Sequence, residues 1–306
     1  MKTLFFTGKG GVGKSTLASA AAWQLAEKGK RVLAVSFDPA HNLGDIFHQR
    51  LSHKKKRFKK TSLYLQETDL DSAAQEYLSQ SMGLMEEVYN YTKATNLDRY
   101  FKVLKYSPGV EEYAALTSLE TILSTEKENF DYIVFDTPPT GLTLRILALP
   151  QISISWIDRL IGIRREILEK RYTVQNITGK YGEKPFKVAY TEEEDQVMKK
   201  LLQMRDRYER VREVLQGTES AVAVVFNPDF LSLRESQRLF DGLLELKLPL
   251  RVLFNNKVTD ANEKIAEKVE TELLINKNDI KLQRVNLIDQ NEPACYSMDT
   301  DLTSYL

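Results

Sequence analysis

Gly8-Lys9-Gly10-Gly11-Val12-Gly13-Lys14-Ser15-Thr16 follows the apolar run Leu4-Phe5-Phe6 and precedes an Ala-rich stretch from Leu17 to Leu25. A glycine-rich turn between a strand and a helix is the signature of a phosphate-binding loop. Glycines at 8, 10, 11 and 13 let the backbone curl, so that successive N–H groups converge on an anion. The helix that starts near Lys14 adds the positive end of its dipole. In this arrangement Lys14 reaches the β- and γ-phosphates of a nucleotide and the Ser15 hydroxyl ligates Mg²⁺. Lys9 is a second lysine in the loop. A charge in a tight turn is costly without an anion or carboxylate nearby, and its stem does not easily fold back onto the same phosphates. Two readings stand: a solvated lysine on the loop rim, or an amine that reaches a nucleotide bound in a facing copy. The second makes ATP part of a dimer interface.

Strand and helix signals alternate outward from this loop. Short apolar, β-branched runs occur at 3–7, 32–37, 63–66, 132–135, 221–226, 251–255 and 283–288. Several lack polar alternation, as strands covered on both faces do. Helical patterns separate them, which predicts an α/β fold with a doubly wound, mostly parallel sheet. Two of the strands end in an aspartate, Asp38 and Asp136. Nucleotide hydrolysis needs acids at such positions, one to hold Mg²⁺ through water and one to orient or deprotonate the attacking water. Asp136 follows the more hydrophobic strand and precedes a Gly, Pro and Thr loop, so it is assigned to the metal and Asp38 to the water.

Two stretches, about 70–105 and 151–215, are long, helical in pattern and free of strand signals. They read as a helical insert within a single ATPase domain covering 1–306. In the second, Val197, Leu201, Met204, Tyr208, Val211 and Leu215 recur at intervals of 4, 3, 4, 3 and 4, a heptad-like seam. Ile157, Leu160, Ile161, Ile167 and Leu168 form another apolar stripe with Arg164, Arg165 and Lys170 beside it. Such stripes serve internal packing or receive something apolar.

Lys plus Arg and Asp plus Glu both number 43 in 306 residues, so no bulk charge points to nucleic acid. The basic run His53 to Lys60 reads as a solvated loop, or as a contact for an acidic partner or anionic lipid. The lone Cys295 excludes disulfides and Cys-paired metal sites within a chain. The first residues enter a strand at once, leaving no room for a signal peptide. No uninterrupted apolar run of about 18 residues occurs, so no integral membrane segment is expected. A reducing, cytoplasmic setting follows.

The chain resembles the ArsA-type ATPases, the family of the arsenite-pump ATPase and of the targeting factor for tail-anchored membrane proteins. GKGGVGKST at 8–16 matches their lysine-signature loop, a deviant Walker A sequence. DPAHNLGDIF at 38–47 is similar to their switch I, and DTPPTGLTLRIL at 136–147 to their switch II. FNPDFLSLRESQRL at 226–239, FNNKV at 254–258 and the Glu292-Pro293 pair resemble later family segments. The resemblance implies ATP and Mg²⁺ as cofactors and a homodimer closed by ATP. It implies that Lys9 reaches the partner's nucleotide while Lys14 and Thr16 bind phosphates. Ser15 then ligates Mg²⁺ with Asp136 behind it, Asp38 polarises the water, Asn42 senses the γ-phosphate and Asn256 recognises adenine. The implied partner is a hydrophobic or membrane-protein client.

The chain departs from the family wording in places. Switch II has Pro138 where Ala is usual and Leu142 where His is usual, removing a backbone donor and a polar relay. The CxxC zinc pair of the eukaryotic targeting factor is absent, as are the thiols with which the arsenite-pump ATPase senses arsenite. Only Met82, Met85, Met198 and Met204 fall in the helical inserts, few for a Met-rich groove. Three functions compete: a client-shielding ATPase, a subunit energising a membrane anion transporter, and a slow nucleotide-dependent switch.

Overall fold

A computed structural model of the chain describes residues 1–38, 42–89, 107, 109–178, 189–275, 279–287 and 296–304. Pro39, Ala40 and His41 of the switch I wording, the Glu292-Pro293 pair and Cys295 lie outside the described residues, as do 90–106 of the first insert. Eight strands in this set form one sheet: β1 Lys2–Gly8, β2 Val32–Ser36, β3 Lys56–Arg57, β4 Leu63–Glu67, β5 Tyr132–Asp136, β6 Ser220–Phe226, β7 Leu250–Val258 and β8 Lys281–Asn286. Their order is β3-β4-β2-β5-β1-β6-β7-β8, and every pairing is parallel except β3 with β4. This is the mostly parallel, doubly wound α/β sheet that the alternating pattern predicts.

Eight helices among the described residues complete the fold: α1 Lys14–Glu27, α2 Asn42–Ile46, α3 Leu70–Tyr89, α4 Val110–Thr125, α5 Thr140–Thr178, α6 Gln196–Gln216, α7 Phe230–Glu245 and α8 Glu263–Leu274. Successive strand residues face opposite sides of the sheet. Leu4 and Phe6 of β1 therefore join the core under α1, while Phe5 joins the core on the other face. There Phe5 stacks on Phe135 at 4.7 Å, and Phe37 follows at 5.9 Å. Ala18, Ala20, Ala21 and Ala22 are buried on α1 and let that helix lie close to the sheet.

The basic run is more than a solvated loop. Lys56 and Arg57 pair antiparallel with Leu65 and Tyr64 as an edge strand, and Phe58 is buried among aromatic rings. Its other lysines are exposed, which blunts a strand edge against unwanted pairing.

Among the described residues, α3 covers 70–89 of the first stretch, and α5 and α6 run through most of the second. The seam on α6 packs inside the molecule, but it starts at Met198, which is fully buried, and not at Val197. Met198 meets Ile157, Ile161 and Leu168 of α5, with Leu201, Met204 and Tyr208 alongside. Asp195 locks the register. It caps α6 by accepting from Met198 N at 2.7 Å, and it takes two bonds from Arg164 at 3.0 and 2.6 Å. Burial pushes the Asp195 carboxyl up, yet those donors outweigh it and hold it below the ordinary aspartate value. Over Thr140–Ile177, α5 is long and apolar enough to cross a membrane, with a mean hydropathy of 1.3 in its best 18-residue window. Of that window 44% is buried inside the fold.

Candidate functional site

Topology assembles the site. Strand β5 lies between β2 and β1, with Asp136 in register with Ser36 on one side and Phe6 on the other. The phosphate loop leaves β1 just beyond Phe6, and Asp38 follows Ser36 by two residues. One parallel sheet thus delivers the loop and both acids to its carboxyl edge, where such folds bind ligands.

Close packing demands glycine at two of the four loop positions, Gly8 and Gly13. A Cβ on Gly8 would sit 2.1 Å from the Val225 carbonyl oxygen of β6. Gly13 caps α1 at φ 95°, and a Cβ there would meet Asn256 Nδ2 at 2.3 Å. Lys14 is buried, and its Nζ donates to the Lys9 carbonyl at 3.2 Å. Burial lowers the Lys14 pKa, while the charges of Asp136 and Asp38 pull it back. An amine so desolvated gains strongly from a polyphosphate.

Asp136 is only 1% exposed. Burial pushes its carboxyl up to about 6, against the hydroxyls of Ser15 and Ser36 and the charge of Lys14. The Ser36 hydroxyl donates to Asp136 Oδ2 at 3.2 Å, and Asp136 Oδ1 is buried without a hydrogen bond of ordinary geometry. An orphaned carboxylate oxygen beside a serine hydroxyl fits a water of a Mg²⁺ shell. Mg²⁺ keeps several waters and is held by few protein oxygens plus substrate phosphates. Ser15 and Asp136 are the residues whose oxygens would fit that role; among the described residues no group of three His, Cys, Asp or Glu side chains offers an all-protein metal site.

Gly10, Gly11, Gly13, Lys14, Ser15, Thr16, Asp38, Asn42 and Asn256 all line one cleft of about 560 Å³. Val12 is buried in the core under α1, Gly8 ends β1, and Lys9 starts the turn that follows. Helix α2, which carries Asn42, is fixed from behind: Gly44 N donates to the buried Glu67 carboxylate of β4 at 2.7 Å. Switch II is stapled as well. Thr137 Oγ1 donates to the Phe6 carbonyl at 2.9 Å, and Thr143 Oγ1 donates to the Pro138 carbonyl at 2.6 Å. Leu142 packs against the apolar core, so the residue that replaces the usual His has an apolar place to go.

Sequence reasoning missed several residues. Ser36 joins both acids, because its Oγ also accepts the Asp38 amide at 3.2 Å. Lys257 Nζ donates to the Gly11 carbonyl at 2.8 Å, and Asn256 Nδ2 donates to the Val12 carbonyl at 2.8 Å. The end of β7 therefore ties down two loop carbonyls, leaving the N–H groups to face an anion. Strand pairing with β8 is irregular there, and Lys257 adopts φ 61°. Leu287 and Met298 also line the cleft. The Asn-Asn-Lys wording at 255–257 was the only sequence signal for any of these.

The family model described as anion-transporting ATPase matches residues 1–292. The chain belongs to this ATPase family. It is 30% identical over 262 residues to the putative arsenical pump-driving ATPase 2 of Aquifex aeolicus, covering 86% of this chain and 82% of that one. It is 29% identical over 262 residues to ATPase ASNA1 homolog 1 of Paramecium tetraurelia, covering 84% and 75%. ATPase GET3B of Arabidopsis thaliana is 29% identical over 272 residues, of which this chain covers 62% of the relative's length. Members of this family are ATPases; in this chain Lys14 and Asp38 line the cleft, while Asp136 is buried and is not part of its lining.

Proposed function

We propose that the chain is a Mg²⁺-dependent ATPase whose two copies close around ATP, and that the closed state shields an apolar segment of a membrane-protein client. The observation that carries this reading is a solvent-facing apolar stripe on α5. Ile152, Trp156, Leu160, Ile163, Ile167, Val174 and Ile177 are all exposed and fall at three- or four-residue steps, with Lys170 filling one position. Trp156 is 67% exposed and Ile177 78%. A contiguous apolar surface of this kind marks an interaction site. From Ile152 to Ile177 the stripe runs about 38 Å at helical rise, longer than the ~30 Å of a membrane-spanning helix. Met198 and Met204 take no part in it, since both belong to the internal cluster with α5.

In this reading Lys14 and Thr16 hold phosphates, Ser15 and Asp136 hold Mg²⁺, and Asp38 orients the water. Asn42 responds to the γ-phosphate, Asn256 meets adenine, and Lys9 crosses to the partner's nucleotide. Bound Mg²⁺ would neutralise charge on the transferring phosphoryl group. ATP favours the closed dimer because only there does it gain the second lysine, the differential affinity any switch needs. The whole chain acts as one domain with its helical inserts carrying the client, in a cytoplasmic setting.

A synthetic apolar helix of about 20 residues, titrated into protein with ATP and Mg²⁺, tests the reading. Quenching or shift of Trp156 fluorescence is expected, with loss of binding in a Leu160→Ser, Ile163→Ser double variant, which keeps Trp156 as the reporter. Equal peptide binding by that variant would remove the client surface from α5. The exposed lysines along β3 favour a second reading, docking on an acidic membrane transporter. Reversing their charge would then abolish docking and leave peptide capture intact.

A further inference from the structure

The end of β7 is shaped from outside the cleft. Its pairing with β8 is regular up to Asn255 opposite Arg284 and resumes at Val258 opposite Asn286. Strand β7 thus advances three residues while β8 advances two. An extra residue of this kind bends a strand and re-aims its side chains, often beside a site. Asn256 and Lys257 stand in the irregular stretch, and both donate to loop carbonyls, those of Val12 and Gly11. Asn255 faces the other way, as successive strand residues do. It is fully buried, and its Nδ2 donates to Glu270 Oε1 of α8 at 2.6 Å. A carboxylate only accepts, so Glu270 fixes which way that amide turns. Asn255 Oδ1 has no hydrogen-bond partner among the described residues.

Glu270 is 6% exposed and is held in turn by Arg284 of β8. Arg284 Nε donates to Oε1 at 2.9 Å and Nη2 to Oε2 at 2.8 Å, a two-pronged grip that fixes the carboxylate in place. One buried side chain therefore ties the last regular pair of β7 and β8 to α8, directly before the bulge. Asn262, the cap of α8, closes the far side, donating from Nδ2 to the Lys257 carbonyl at 3.0 Å. We propose that Glu270 is a positioning residue for the phosphate loop. Through Asn255 and Arg284 it sets the bulge of β7, and the bulge holds the Val12 and Gly11 carbonyls, which leaves the loop N–H groups to the anion. Glu270 is not among the residues that line the cleft. It acts by shaping the loop before the ligand arrives, which lowers the ordering cost of binding. The inference rests on the reading that this loop holds nucleotide phosphates, and it gives α8 a part in that site.

Calorimetric titration of ATP and of inorganic tripolyphosphate, each with Mg²⁺, tests this beside steady-state turnover. Glu270→Ala should weaken both ligands alike, by about tenfold, the scale of hydrogen bonds lost from the loop. The KM for ATP should rise in step, with the larger share of the loss in KM and the smaller in kcat. Glu270→Gln keeps an oxygen for Asn255 and should recover most of the affinity. Leu273→Ala, one turn along α8 and fully buried, removes packing alone and should bind within about twofold of wild type although it unfolds more readily. Wild-type affinity in Glu270→Ala would overturn the proposal. So would an equal loss in Leu273→Ala, which would mean that any loosening of α8 reaches the loop. Weakening of ATP without tripolyphosphate would place the effect at the base and overturn it too, and no recovery in Glu270→Gln would overturn the route through Asn255. Should Glu270→Ala fail to fold, Asn255→Ala removes the linking amide alone and decides in its place, against the same Leu273→Ala control. Failure of the wild-type protein to bind either ligand would instead overturn the phosphate-loop reading beneath it.

Discussion

Ser36 and Asp136 stand opposite one another in adjacent parallel strands, and the Ser36 hydroxyl donates to Asp136 Oδ2 at 3.2 Å. Ser36 Oγ also accepts the Asp38 amide, so one small side chain contacts both acids. Groups that orient a metal-facing carboxylate are worth about 10- to 100-fold in affinity or activity. Ser36→Ala should therefore lower ATP turnover by roughly tenfold and raise the Mg²⁺ concentration needed for half-maximal rate. Unchanged Mg²⁺ dependence in a steady-state assay would show that the bridge has no bearing on the metal.

Lys257 holds a left-handed backbone, φ 61°, while its amine grips the Gly11 carbonyl. A left-handed conformation costs a side-chain-bearing residue about 1–2 kcal/mol, which glycine is spared. Lys257→Ala should weaken ATP binding by about five- to tenfold, the value of one hydrogen bond that shapes the loop. Lys257→Gly should lose the same affinity but melt higher than Lys257→Ala. Equal melting temperatures would show that the turn stores no strain.

The Asp136 carboxyl, pushed up to about 6 by burial, holds its proton more tightly in the folded chain than an unfolded aspartate near 3.9 does. Its contribution to stability is fully present below the unfolded value and is lost as the pH rises through about 6. Nucleotide-free wild type should therefore gain on Asp136→Asn, by of order 2 kcal/mol, as the pH falls from about 7 to about 4. The proposed role of Asp136 toward Mg²⁺ needs the ionised form, so Mg²⁺-nucleotide affinity should fall over the same acid range. Melting curves of both proteins at several pH values, with and without nucleotide, provide the check; a pH-independent difference would contradict the assignment.

Phe58 is buried within the basic run and meets Phe47 at 4.9 Å, Tyr296 at 5.6 Å and Trp23 at 5.7 Å. Phe58→Ala should cost about 3–5 kcal/mol, read by denaturant unfolding. Lys54→Ala, four residues earlier and exposed, should stay within about 0.5 kcal/mol. Because Phe47 directly follows α2, the Phe58 variant should also loosen the cleft wall that carries Asn42.

What the chain reveals by itself depends on burial. Strands β1, β2, β5 and β6 are covered on both faces and so read as unbroken apolar runs. The phosphate loop is legible because only glycine tolerates Val225 and Asn256 at such range. Strand β3 leaves no apolar trace, being two charged residues on an edge. Lys257 escaped notice because its partner, Gly11, is 246 residues away in the chain. The α6 seam was read one residue early at its start, since periodicity cannot show that Asp195 caps the helix and fixes Met198 inward. Residues on α5 alternate between two faces, and composition alone does not say that one packs on α6 and the other meets solvent.

The direct test of the account is phosphate release by Asp38→Asn beside wild type, with ATP binding measured on the same preparations. The proposed function gives Asp38 the attacking water and leaves phosphate binding to the loop. The variant should hold Mg²⁺-ATP within about threefold of the wild-type affinity while releasing phosphate at least about 100-fold more slowly. Wild-type release by a variant that binds ATP normally would contradict the assignment of the strand-end acids.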